Sequence, residues 1–156
     1  MNLIKSYKPL HVVSACSWFG SVLAVVLIFL FTKNELDHSI MISNNKLIER
    51  IDHWIIIPSS VLCYFTGIIL SWKTNWGFLK YKWIVTKLII GSLLMLFGIF
   101  FLGPWILKFP TISITEFSKY NNLQLKLGVS MITQSVFILI IIIISTTKPW
   151  GKTNLK

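Results

Sequence analysis

Four long stretches of this sequence contain no charged residue, and they govern what the chain can become. Val12 to Phe31 runs 20 residues without a charge, Trp54 to Trp72 runs 19, Leu88 to Leu107 runs 20 and Leu127 to Thr147 runs 21. Coiled as α-helix at about 1.5 Å per residue, each reaches roughly 30 Å, the thickness of a bilayer's hydrocarbon layer. A soluble domain can bury one such segment in its core, but four of them in 156 residues leave too little polar chain to cover them. Only 13% of the residues are charged, where a soluble domain carries about a quarter. The chain therefore reads as all-α, a four-helix transmembrane bundle with short loops. It forms one integral membrane domain over residues 1–156, with spans at about 10–32, 47–72, 83–107 and 125–147. The first stretch is too long for a signal-peptide core, and no small-residue cleavage pattern follows Phe31. Val13-Ser14-Ala15-Cys16 imitates a lipoprotein box, but its apolar run follows the cysteine instead of preceding it.

Charge placement sets the expected orientation. Lys5, Lys8, Lys73, Lys80, Lys82, Lys148, Lys152 and Lys156 fall in the N-terminus, second loop and C-terminus, with no acid among them. Lys33, Lys46, Arg50, Lys108, Lys119 and Lys126 share the first and third loops with all five acids. Lys and Arg collect on the cytoplasmic side, so both termini are expected there, in a multi-pass protein of the cell membrane. The net charge of +10 does not point to nucleic acid, because the lysines are scattered over loops without a basic face or a reader module. The expected partner is the lipid bilayer, with a homo-oligomer or a second membrane protein left open. Cys16 and Cys63 form no CxxC pair and read as small apolar residues inside spans.

Local signals place the spans. Pro9 suits the first turn of the first helix. Ser43-Asn44-Asn45 offers caps for the second, which Pro58 should kink. Gly103-Pro104 should bend or end the third. Trp72, Trp76, Tyr81 and Trp83 form an interfacial aromatic belt. The segment from Phe109 to Gln124 is polar and mixed. Ser14, Ser17, Ser21 and Ala24 make a small-residue stripe on the first helix, and Gly91 and Gly98 share a face of the third; both read as close-packing surfaces.

Ionisable groups in or beside a span are the functional candidates. Two groups stand out. His11 in the first span and Lys87 in the third both start from the cytoplasmic side, and Lys87 shares the face of Gly91. At the other end Glu49, Arg50, Asp52 and His53 cluster, with Glu49 and His53 spaced to pair across one turn. His53, Ser60, Tyr64, Gly67 and Ser71 continue as a polar and small line, and Gln134 with Ser130 is a matching polar pair on the fourth helix. His11 and His53 lie most of a bilayer apart, so one haem cannot take both as axial ligands. Haem on His11 alone, or on His53 with Met131, stays open. No HExxH, CxxC, phosphate loop or hydrolase nucleophile motif is present, and no catalytic set can be named.

Leu10-His11, Trp18-Phe19-Gly20, Glu49-Arg50, Pro58, Thr66-Gly67, Trp83, Lys87 and Lys148-Pro149 occur in the order of a family of small predicted integral membrane proteins described as a domain of unknown function, which the chain resembles over nearly its whole length. It is more distantly similar to the HemJ-type protoporphyrinogen oxidases and to CopD-like copper-resistance membrane domains. That likeness implies a role near haem for His11 and Lys87. The chain departs from the oxidases in lacking a histidine further along the third helix and an Asn-Glu pair before the last one; Asn121-Asn122 has no acid beside it. Three functions follow: a non-catalytic membrane component, as a partner or metal-handling subunit; a haem- or porphyrin-handling redox protein using His11 and Lys87; and a small oligomeric transporter or channel.

Overall fold

The computed structural model describes residues 3–32, 37–74, 77, 79–108 and 117–153. Helix α1 is Leu3–Thr32, and α2 is His38–Ile51. A π turn, Asp52–Ile56, joins α2 to α3, Ile57–Lys73. Helix α4 is Lys82–Phe97, and a second π turn, Gly98–Leu102, joins it to α5, Gly103–Lys108. Helix α6 is Phe117–Thr147. Four rods are long and apolar enough to cross a membrane: Ser6–Thr32, Ser39–Lys73, Lys82–Lys108 and Lys119–Thr147. The architecture is the expected all-α one, with no strand among the described residues.

The helices start earlier than the sequence signals suggest. α1 begins at Leu3, so Pro9 lies inside it rather than in its first turn. α2 begins at His38, capped by Asp37, whose carboxylate accepts the N–H groups of Ser39 at 2.8 Å and Ile40 at 3.4 Å. Ser43, Asn44 and Asn45 are therefore interior residues, and Asn45 is buried. Part of the mixed third loop is helix from Phe117 onward, because Tyr120, Leu123 and Leu127 repeat at helical spacing on a buried face. Residues 109–116 lie outside the described set, as do Lys33, Glu35, Trp76 and Lys156.

Pro58 and Pro104 explain the π turns. Proline has no N–H, and its ring crowds the carbonyl four residues back. Each rod widens the turn just upstream instead of breaking. The Ile57 N–H reaches back five residues to Asp52 O, and the Gly103 N–H likewise reaches Gly98 O. Helix therefore continues past Gly103-Pro104 to Lys108 rather than ending there.

α1 packs mainly against α3 and α6. Its buried line is Ser14, Trp18, Ser21, Val22, Val25 and Phe29, whereas Ser17 is exposed; the expected small stripe is a mixed one that includes an indole. Gly91 does pack, against the Tyr64 ring, but Gly98 has nothing within 4 Å where a Cβ would stand. The α4–α5 rod is the least buried of the four.

The two ends are fastened differently. At one end Lys148 (φ 48) and Trp150 (φ 66) take left-handed conformations that turn the tail back. Lys82 N–H donates to Gly151 O at 3.3 Å, and Thr153 N–H to Lys80 O at 3.0 Å. Lys73 Nζ sits 5.7 Å above the Tyr7 ring, so both terminal segments and the 79–82 segment gather at this terminal end. At the far end the buried Asn45 and Tyr120 tie α2 to α6, with Asn45 Nδ2 donating to the phenol oxygen at 3.3 Å.

Candidate functional site

His11 is held from behind. Its Nδ1 lies 2.9 Å from Cys63 O and 3.0 Å from Thr66 Oγ1. A carbonyl only accepts, so Nδ1 carries the hydrogen. The Thr66 hydroxyl is itself spent on the carbonyls of Leu62 at 2.6 Å and Cys63 at 3.1 Å, which leaves its oxygen to accept from the imidazole. With Nδ1 protonated, Nε2 keeps its lone pair, and it has no hydrogen-bond partner among the described residues. Fixing one ring nitrogen on a backbone carbonyl is how proteins orient a histidine whose other nitrogen binds a metal. Gly67 makes the fit: a Cβ there would stand 3.1 Å from His11 Cε1, so the ring lies closer to α3 than a side chain at this position would leave it.

His11 and Lys87 line one cavity of about 310 Å³. They belong to α1 and α4, which sit diagonally with α3 and α6 between them, rather than on adjoining helices. The walls are mostly apolar, including Val12, Ala15, Ile84, Leu88, Ile138 and Ile141. No acid lines this cavity, so the Lys87 charge has no carboxylate there; its Nζ lies 5.2 Å above the Trp83 ring. Tyr64, from the expected polar line, also lines it and shares a 2.7 Å hydrogen bond with Ser92, fixing α3 to α4. Cys63 Sγ lies 3.8 Å from His11 Nδ1, at the tethered side of the ring. Both cysteines are free.

The far-end cluster does not assemble as the sequence suggested. His53 is exposed and lies edge-on to Trp54, with ring centroids 5.5 Å apart. It does not face the bundle and makes no ion pair with Glu49; Arg50 is exposed as well. The π turn is the reason. It absorbs one extra residue, so Asp52 rather than His53 falls in line with Ser60, and Asp52 is buried. Met131 is fully buried while His53 is exposed, which removes the pairing of those two around a haem. Asp52, Ser60 and Gln134 line a second cavity of about 340 Å³.

A family profile described as "Predicted integral membrane protein (DUF2269)" matches residues 5–149, which takes in every element described above from His11 to Lys148-Pro149. The chain belongs to the DUF2269 family. No curated protein and no solved structure matches it. DUF2269 membership establishes an integral membrane protein and carries no activity with it, so function has to be read from the cavities. Among the described residues no three His, Cys, Asp or Glu side chains come together as metal ligands. The sequence singled out His11 and Lys87 but not the role of Cys63 and Thr66 as tethers, since a backbone carbonyl that receives a side chain from another helix leaves no pattern in spacing.

Proposed function

We propose that this DUF2269 protein binds haem or a related tetrapyrrole in the cavity at its terminal end, where His11 Nε2 would hold the iron. The tether of His11 Nδ1 to Cys63 O carries this reading, because it fixes the tautomer that leaves Nε2 free. The residues present fit such a group: one oriented imidazole, largely apolar walls, and the uncompensated Lys87 ammonium to meet a propionate. A cavity of about 310 Å³ is at the small end for ligand sites, roughly 300–1,000 Å³. It is partly open, so its walls would cover only part of a bound macrocycle. Bound haem would supply redox chemistry. The chain's own contribution would be to hold the iron, shield the ring and balance the propionate charge. The HemJ-type resemblance adds support, since it falls on His11 and Lys87. The lysine asymmetry supports an orientation with the terminal end, and so this cavity, on the cytoplasmic side of the cell membrane.

The test is the absorption spectrum of detergent-purified protein titrated with haem. A Soret band that His11→Ala abolishes is the expected result. If wild-type protein shows no band after haem is added, the tetrapyrrole reading fails, and the reading that stands is a membrane component without chemistry of its own.

A further inference from the structure

The second cavity shares only Trp18 with the first. It lies between the two π turns, and residues of both line it: Asp52 and Ile56 on one side, Gly98, Ile99 and Leu102 on the other. Most of the lining is apolar, yet three oxygen-bearing side chains stand in it nearly cut off from solvent. Asp52 and Ser60 are each 8% exposed, and Gln134 is 5% exposed. Gln134 Oε1 has no hydrogen-bond partner. The Asp52 carboxylate makes no hydrogen bond or ion pair with any described residue. Ser60 spends its hydrogen on Ile57 O at 2.9 Å, so its oxygen is left as an acceptor only.

The backbone beside the cavity is altered as well. Ile99 O would ordinarily accept from Gly103, but that N–H goes to Gly98 O, and the next residue, Pro104, has none to give. The carbonyl of a cavity-lining residue is thereby left without a following amide. Carbonyls freed where membrane helices are interrupted are used to coordinate small cations. No Lys, Arg or His lines this cavity to balance Asp52. Of the charged groups nearby, His53 on the same rod acts on Asp52 from the outer surface; Glu49 is also on that rod, and Lys108 ends the rod opposite.

One carboxylate with several neutral oxygens is a hard, singly charged set. Divalent calcium and magnesium draw on more ligands or more charge than this. We propose that the cavity between the two π turns is a binding site for a small monovalent cation, Na⁺ or a proton, with Asp52 supplying the charge and Gln134 and Ser60 supplying neutral oxygens. The site is independent of the tetrapyrrole reading, since Asp52, Ser60 and Gln134 do not line the cavity of His11.

The experiment is carbodiimide labelling of the purified protein, read by peptide mass spectrometry at Asp52, across a pH series in sodium chloride or choline chloride of equal ionic strength. Dicyclohexylcarbodiimide adds to a protonated carboxyl in an apolar site, so labelling reports whether the carboxyl is protonated and accessible to the reagent. If sodium is the ligand, Na⁺ slows labelling at fixed pH, and Gln134→Leu raises the Na⁺ concentration for half protection by about tenfold. If the ligand is the proton alone, labelling falls as pH rises and Na⁺ has no effect. Either result supports the site. Failure of Asp52 to label at any pH, or a rate indifferent to both pH and Na⁺, overturns it. Asp52→Asn checks the fold: it should lose the label yet keep a cooperative thermal transition, so that loss of label is not mistaken for unfolding.

Discussion

Gly67 offers the sharpest test of how His11 is held. An alanine Cβ at this position would lie 3.1 Å from Cε1 and 3.6 Å from Nδ1, where ordinary contact begins at 3.4 Å. The imidazole must then retreat by about 0.3 Å, and it retreats from the helix that carries both its partners. Bonds now at 2.9 and 3.0 Å lengthen toward the limit of good geometry, about 3.2 Å, which weakens the tether by about 1 kcal/mol. Replacing glycine by alanine inside a helix also gains about 1 kcal/mol of helix propensity. The two offset, so Gly67→Ala should leave the thermal midpoint in detergent nearly unchanged while haem affinity falls about fivefold. Gly67→Val puts two further carbons against the ring and costs about 1–3 kcal/mol by overpacking. Its haem affinity should fall tenfold or more, with a lower midpoint. Both are read by haem titration at the Soret wavelength and by thermal unfolding of the same preparations. Wild-type affinity and midpoint in Gly67→Val would refute the claim that His11 is seated against α3 by the missing side chain.

Other perturbations separate the remaining claims. His53→Ala should leave haem binding intact, since His53 is exposed and is carried on the rod's outer surface by the π turn; a lost Soret band would contradict this. Lys87→Met should shift or weaken the band without removing it, because the iron ligand stays while a propionate partner goes. Tyr120→Phe removes the hydroxyl paired with Asn45 and should lower stability by about 0.6 kcal/mol, the average for such bonds in a membrane; an unchanged midpoint would show the pair carries nothing. A reporter active only outside the cell, fused after Lys156, should stay silent, and a strong signal would reverse the proposed orientation.

The sequence discloses the bundle because a bilayer makes strict demands: about 20 apolar residues per crossing, and every backbone group bonded within the helix. Those demands are written in the absence of charge, which any reader of the chain can see. The helix starts were harder, since Asp37 and Phe117 lie well outside the uncharged runs that mark the spans. His11 and Lys87 were legible as ionisable residues in spans. The far-end cluster was misread for one reason: helical periodicity was carried straight through Pro58, whereas the π turn moves everything before it round by one residue. Pro58 is the available signal, because the helix accommodates it with a π turn, which changes the register. Asp52 and His53 exchange places as a result. The unpaired oxygen of Gln134 has no trace in sequence at all, because lacking a partner is a property of three-dimensional packing.

Trp18 is the one residue common to both cavities, and its side chain is 6% exposed. One side chain thus forms part of the wall of each hollow. A single substitution, Trp18→Ala, enlarges both at once, and it should alter haem binding at His11 and carbodiimide labelling at Asp52 in the same protein.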